Sequence, residues 1–173
     1  MKPFNALLII ASIAFASSIQ AQECKFEFNT VDKFTGKPKV GDFYVLTGGH
    51  MLYFQKSEGE YTMELITQAF NGYIRQGVEQ GSEGQFRLSN GEFITFIVKE
   101  NAVATVTQNY STKDMQSKFT VKFSITEEEM IKFSNSAPVA YNFPLGSVSV
   151  KNDLPEKRGM KIMKTASCLL QYN

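Results

Sequence analysis

The stretch Lys118-Phe-Thr-Val-Lys-Phe-Ser-Ile-Thr126 alternates without a break. Phe119, Val121, Phe123 and Ile125 fall on one side, and Lys118, Thr120, Lys122, Ser124 and Thr126 on the other. A pattern with a period of two residues describes a β-strand with one buried and one wet face. Shorter runs of the same kind occur at Lys25 to Thr30, Tyr61 to Gln68, Gln85 to Ser89 and Ser147 to Lys151. Between the runs stand turn signals. Asn90-Gly91 separates Gln85–Ser89 from Glu92–Val98, and both of its residues tolerate positive φ, which predicts a hairpin. Asn71-Gly72 and Gly48-Gly49 predict two more, and successive hairpins imply a meander.

One segment leaves this pattern. Thr126-Glu127-Glu128-Glu129 reads as a capping box, in which Thr126 caps the third helical amide and Glu129 reaches back. Three acids at a helix start also suit the helix dipole. The predicted helix is short, near 127–134, because Ser134-Asn135-Ser136-Ala137-Pro138 stops it, and Met130, Ile131 and Phe133 give it an apolar side. A calcium site built on the glutamates is the alternative, and capping explains the run with fewer assumptions. Lys151 to Lys164, basic around Pro155, reads as a solvated loop and flanking strand.

The chain has 173 residues, 43% hydrophobic and 20% charged, enough for one domain with a real core. Residues 1–21 have the parts of a secretory signal: Lys2, an apolar run from Ala6 to Ala16 broken only by Ser12, and small residues before a cleavage point after Ala21. The run is shorter than the roughly 20 residues that cross a bilayer as a helix. Glu23 breaks the box that would lead to lipid modification of Cys24. The expected organisation is a signal peptide at 1–21 and a single β-rich domain at 22–173, without a transmembrane anchor in the mature chain. Removing Lys2 with the signal leaves 17 basic residues against 17 acidic. A neutral chain gives no electrostatic reason for a nucleic-acid partner.

Export makes the two cysteines, Cys24 and Cys168, a predicted disulfide joining the first strand to the last. With one histidine and two cysteines the chain lacks four ligands for a zinc site of that type. His50, after Gly48-Gly49, is the sole histidine, so histidine-centred catalysis must pass through it. As a hairpin-turn residue it reads as exposed and idle. No nucleophile elbow, phosphate loop or His-Glu-x-x-His occurs. Asp32, Asp42, Glu58, Glu60, Glu64 and Glu92 could in principle supply the carboxylate pair of a glycoside hydrolase, but their spacing selects none. No catalytic, cofactor-binding or metal residue is assigned, and no cofactor is expected.

The phenylalanines left after Phe4 and Phe15 depart with the signal read as core filling. The sharper alternative is a barrel around a small apolar ligand, lined by Phe93, Phe96, Phe119 and Phe123, although the lipocalin Gly-x-Trp is absent from a chain without tryptophan. A small outer-membrane barrel needs strands of about 9 to 11 residues, and most runs are shorter.

Several segments together resemble a group of small exported Bacteroidetes proteins without an assigned activity. They are the signal ending Ile-Gln-Ala-Gln-Glu, Cys24–Asn29 leading into Val31–Lys37, Gly81 to Phe96, Phe123 to Met130, and the tail around Lys164 to Leu170. The resemblance implies an extracytoplasmic β-rich domain and transfers no catalytic residue.

The expectation is therefore an all-β protein, an antiparallel sandwich or partly closed barrel of about nine to eleven strands with one short helix. It would be secreted or periplasmic and act in binding or interaction at the cell envelope. Its partner would be a protein, a glycan or a small apolar ligand. A small apolar ligand inside a barrel and a carboxylate-dependent hydrolase are the other readings.

Overall fold

The computed structural model describes residues 24–172 except 32, 34, 71–76, 109, 110 and 147. The segment 1–21 expected to be a signal, the turn expected at Asn71-Gly72, and Asp32 lie outside the described residues. Among the described residues there are ten strands: β1 (Phe28–Val31), β2 (Pro38–Val45), β3 (Met51–Ser57), β4 (Glu60–Phe70), β5 (Glu83–Leu88), β6 (Phe93–Val98), β7 (Thr105–Gln108), β8 (Met115–Ile125), β9 (Pro138–Leu145) and β10 (Val148–Asp153). They form one antiparallel sheet in the order β1-β2-β3-β4-β8-β6-β5-β9-β10, with β7 also paired to β8. The sheet is not closed into a barrel. The expected all-β, sandwich-like class holds.

The opening run lies in β8, and Phe119, Val121, Phe123 and Ile125 all face the core. Its long partner is β4, in a ladder running from Tyr61↔Ile125 to Phe70↔Gln116. The order departs from a simple meander there: β1 to β4 follow one another, β8 is inserted next, and the hairpins β5–β6 and β9–β10 complete the far side. The Asn90-Gly91 hairpin forms with a three-residue loop. Leu88 N–H donates to Glu92 O (2.8 Å), Gly91 N–H donates to Leu88 O (3.0 Å), and Gly91 alone takes the positive φ, 89°. The Gly48-Gly49 segment joins β2 to β3 through a 3-10 turn at Thr47–Gly49.

Helix α1 (Glu127–Asn135) has the capping box in full: Thr126 Oγ1 accepts from Glu129 N–H (3.2 Å), and Glu129 Oε2 accepts from Thr126 N–H (2.7 Å). Met130 and Phe133 are buried, whereas Ile131, expected on the same apolar side, is exposed. Residues 130 and 133 lie one turn apart on one face, and 131 is rotated about 100° from 130.

A second helix, α2 (Glu156–Gln171), replaces the expected loop and strand. Cys168 therefore sits on a helix rather than on a last strand. Gly159, Ile162, Thr165, Ala166 and Leu169 form its buried stripe, with the three- and four-residue spacing of an amphipathic helix.

The sheet is strongly curled. Thr47 precedes β3, and β9 lies five strands farther along the sheet, about 24 Å at the usual strand spacing if the sheet were flat. Yet Tyr141 Oη of β9 donates to Thr47 O at 3.4 Å. The α2 helix packs chiefly against α1 and also touches β2, β3 and β9. Inside, the Phe133 ring of α1 meets Phe54 of β3 at 5.2 Å, Phe86 of β5 at 5.4 Å and Phe96 of β6 at 5.7 Å. Phe123 and Phe143 extend the cluster. Edge-to-face, stacked and tilted contacts at these separations fill the interior with side chains.

Candidate functional site

Cys24 and Cys168 are bonded, with Cα atoms 5.5 Å apart. The bond ties the segment before β1 to the last turns of α2. Around it the two ends of the chain are joined repeatedly. Lys161 Nζ pairs with Glu27 Oε1 (2.8 Å) and lies over the Tyr44 ring, and the Phe26 ring meets Tyr172 edge-on.

Beneath these contacts is the most deeply buried carboxylate among the described residues, Asp42 of β2, 4% exposed. Its Oδ1 accepts from Glu27 N–H (2.7 Å), and its Oδ2 accepts from the Thr165 hydroxyl of α2. The Tyr44 hydroxyl donates to Thr165 Oγ1 at 2.6 Å. Burial holds the Tyr44 phenol well above its ordinary range, and the nearby Asp42 carboxylate adds to the effect. Both carboxylate oxygens are engaged by the chain's own donors, so the cluster acts as a polar pin between β2 and α2. A small recess of about 220 Å³ opens beside it, lined in part by Lys25, Lys161 and Lys164.

The other acids named from the sequence lie apart. Asp42 is in register with Phe54 on the core face, whereas Glu64 is in register with Tyr53 and Lys122 on the opposite face. Glu58 pairs with Lys37 (2.6 Å), Glu60 with Lys99 (3.4 Å), and Glu92 accepts from Asn90 Nδ2 (2.9 Å) in the hairpin. Each has its own partner, Glu58 and Glu60 at the same β3–β4 turn included. His50 is half-buried rather than exposed: its Nδ1 is 2.5 Å from the Oγ1 of buried Thr67. Burial lowers its pKa.

The four phenylalanines proposed to line a cavity separate. Phe96, Phe119 and Phe123 are in the packed core, but Phe93 points outward and is 61% exposed. In a strand, positions 93 and 96 have opposite parity and cannot share a face. That parity was readable, but Phe93–Val98 is apolar at most positions, so alternation alone does not mark its wet side.

Phe93 stands at one end of a cleft of about 350 Å³ on the outer face of β6, β5, β9 and β10. Sheet register builds it from two cross-strand rows. One runs Phe93, Arg87, Ala140, Asp153, and the other Thr95, Gln85, Asn142, Lys151. Ala140 has the smallest side chain of its row, which leaves a depression between taller neighbours. Arg87 Nη2 reaches across it to Asp153 Oδ1 at 3.7 Å. Gln85 Nε2 donates to Thr95 Oγ1 at 3.3 Å. Asn142 Oδ1 is buried without a hydrogen-bond partner among the described residues, an uncommon and costly condition for an amide oxygen. Apart from Phe93, which was assigned to an interior cavity, none of these residues was singled out from sequence, because their proximity arises from four strands meeting.

Comparisons with known protein families, with curated proteins and with solved structures found no match to this chain. Among the described residues no three His, Cys, Asp or Glu side chains gather to hold a metal ion, and no helix is long and apolar enough to cross a membrane.

Proposed function

We propose that this chain is an exported, non-catalytic binding domain of the cell envelope, and that its ligand occupies the outer-face cleft beside Phe93. The observation that carries this reading is the cleft itself: an exposed aromatic ring, amide side chains and an Arg–Asp pair converge on a depression floored by Ala140. Recognition sites combine an apolar wall with a few placed polar groups in this way. The signal-like leader and the Cys24–Cys168 bond support placement in an oxidising space, secreted or periplasmic. The two alternatives have less support. The core rings contact one another where an apolar ligand would lie, and the acids each have separate partners.

The test is an amide NMR titration of the exported protein with a soluble envelope extract from the producing cells. Shifts should concentrate at Arg87, Phe93, Ala140 and Asn142, and an Ala140→Leu variant, which fills the depression from a partly exposed position, should lose them. An absence of shifts, or shifts indifferent to Ala140→Leu, would overturn the proposal.

A further inference from the structure

We infer that the ligand of this cleft is a carbohydrate, recognised by the Phe93 ring on an apolar sugar face and by the Arg87–Asp153 pair and the Gln85 and Asn142 amides on its hydroxyls. The inference rests on the binding reading above and deepens it by naming the ligand's chemistry.

A pyranose ring has an apolar face of C–H groups and a rim of neighbouring hydroxyls, each both donor and acceptor. The cleft offers the complementary surfaces. Phe93 exposes an aromatic face to water at one end. Beyond it the rows supply a guanidinium with five donors, a carboxylate with acceptors only, and two amides that carry both. Such groups satisfy adjacent hydroxyls in pairs.

Other ligand classes fit less well. The cleft lies on the face of the sheet, where the backbone groups of β5 and β9 are already spent on the β5–β9 and β9–β10 ladders. Backbone pairing there is open to an extended peptide only along the outer edge of β10, the terminal strand, and not over the floor of the cleft. Its lining sets Arg87, Lys151, Asp153 and amide side chains beside the Phe93 ring and Ala140, a mixed surface rather than a closed apolar pocket for a hydrophobic side chain. Arg87 and Lys151 against Asp153 leave a single excess positive charge, too little for a polyphosphate backbone.

The experiment uses the exported protein and two fractions of the same envelope extract: polysaccharide freed of protein by exhaustive proteolysis, and protein freed of polysaccharide. Part of the polysaccharide is oxidised with periodate, which cleaves vicinal diols. The inference expects the polysaccharide to shift the cleft amides and periodate to abolish the effect. Phe93→Ala should weaken binding about tenfold, while Phe93→Tyr, which keeps the ring, should retain it. Ile131→Ser, at an exposed position on α1, serves as the control and should leave binding unchanged. If only the protein fraction shifts the cleft amides, the carbohydrate inference fails while the binding domain stands. If neither fraction does, both fail.

Discussion

A Cβ placed on Gly159, in the first turn of α2, would stand 2.2 Å from the carbonyl oxygen of Pro138 at the start of β9. The helix backbone lies directly against the strand, and glycine is what lets it do so. Two effects then oppose each other in Gly159→Ala. Alanine improves intrinsic helix propensity by about 1 kcal/mol, but the methyl group meets backbone that cannot turn aside as a side chain could. Overpacking of this kind costs about 1–3 kcal/mol or more. We expect the clash to prevail and urea unfolding to show a net loss of about 1–2 kcal/mol. A variant more stable than the parent would contradict the close approach of α2 and β9.

The Asp42 pin gives a larger effect. Asp42→Ala leaves the Thr165 hydroxyl and the Glu27 amide without their acceptor, and unsatisfied buried donors make a loss of about 3 kcal/mol the expectation. Thr165→Val keeps the side-chain shape and should cost less, about 1–2 kcal/mol. Denaturant titration of both variants checks the ranking, and an Asp42→Ala protein as stable as the parent would remove the pin from the account.

Tyr44 should make the fold sensitive to alkali. Its hydroxyl keeps its proton in the folded state well above 10.0, the ordinary value at which it ionises once unfolded. Above that pH the unfolded chain holds fewer protons than the folded one, so stability must fall as pH rises. The contribution approaches about 1.4 kcal/mol per pH unit. Tyr44→Phe should cost about 1 kcal/mol at neutral pH through its lost hydrogen bond and flatten the alkaline decline. Unfolding curves at pH 8 to 11 compare the two, and parallel alkaline limbs would speak against burial of the Tyr44 hydroxyl.

For His50 the sign is reversed. Burial lowers the folded-state pKa from 6.5, so below that pH the unfolded chain takes up a proton that the folded one resists, and stability falls on acidification. Imidazole NMR signals should titrate with a midpoint under 6.5. His50→Ala should also cost about 1 kcal/mol by leaving Thr67 without its partner. An ordinary midpoint would mean that the ring is solvated.

Mass measurement of the exported protein under non-reducing conditions should show the chain without residues 1–21 and lighter by the two hydrogens of the Cys24–Cys168 bond. Reduction should lower the unfolding midpoint, since loop-closure reasoning assigns such a long ring about 4–5 kcal/mol. An intact amino terminus would refute export by this leader.

Much of the fold was legible because its causes are local. The alternation of Lys118–Thr126, the capping box at Thr126–Glu129 and the turn at Asn90-Gly91 each depend on residues within a few positions of one another. The candidate cleft was far less legible. Its rows bring Phe93 and Arg87 together with Ala140 and Asp153, and no spacing within any one segment records that meeting.

The sequence by itself determined the strand period, the first helix and its cap, and the pairing of the two cysteines. Only the tertiary structure decided the strand order, the outward face of Phe93 and the use of residues 156–171 as a helix. Gly159 and Pro155 look like punctuation in a linear reading, yet the glycine permits contact with Pro138. Asp42 finds Thr165 across 123 positions. Period and capping are set by short-range geometry, whereas face, order and cleft are set by which distant segments bury one another.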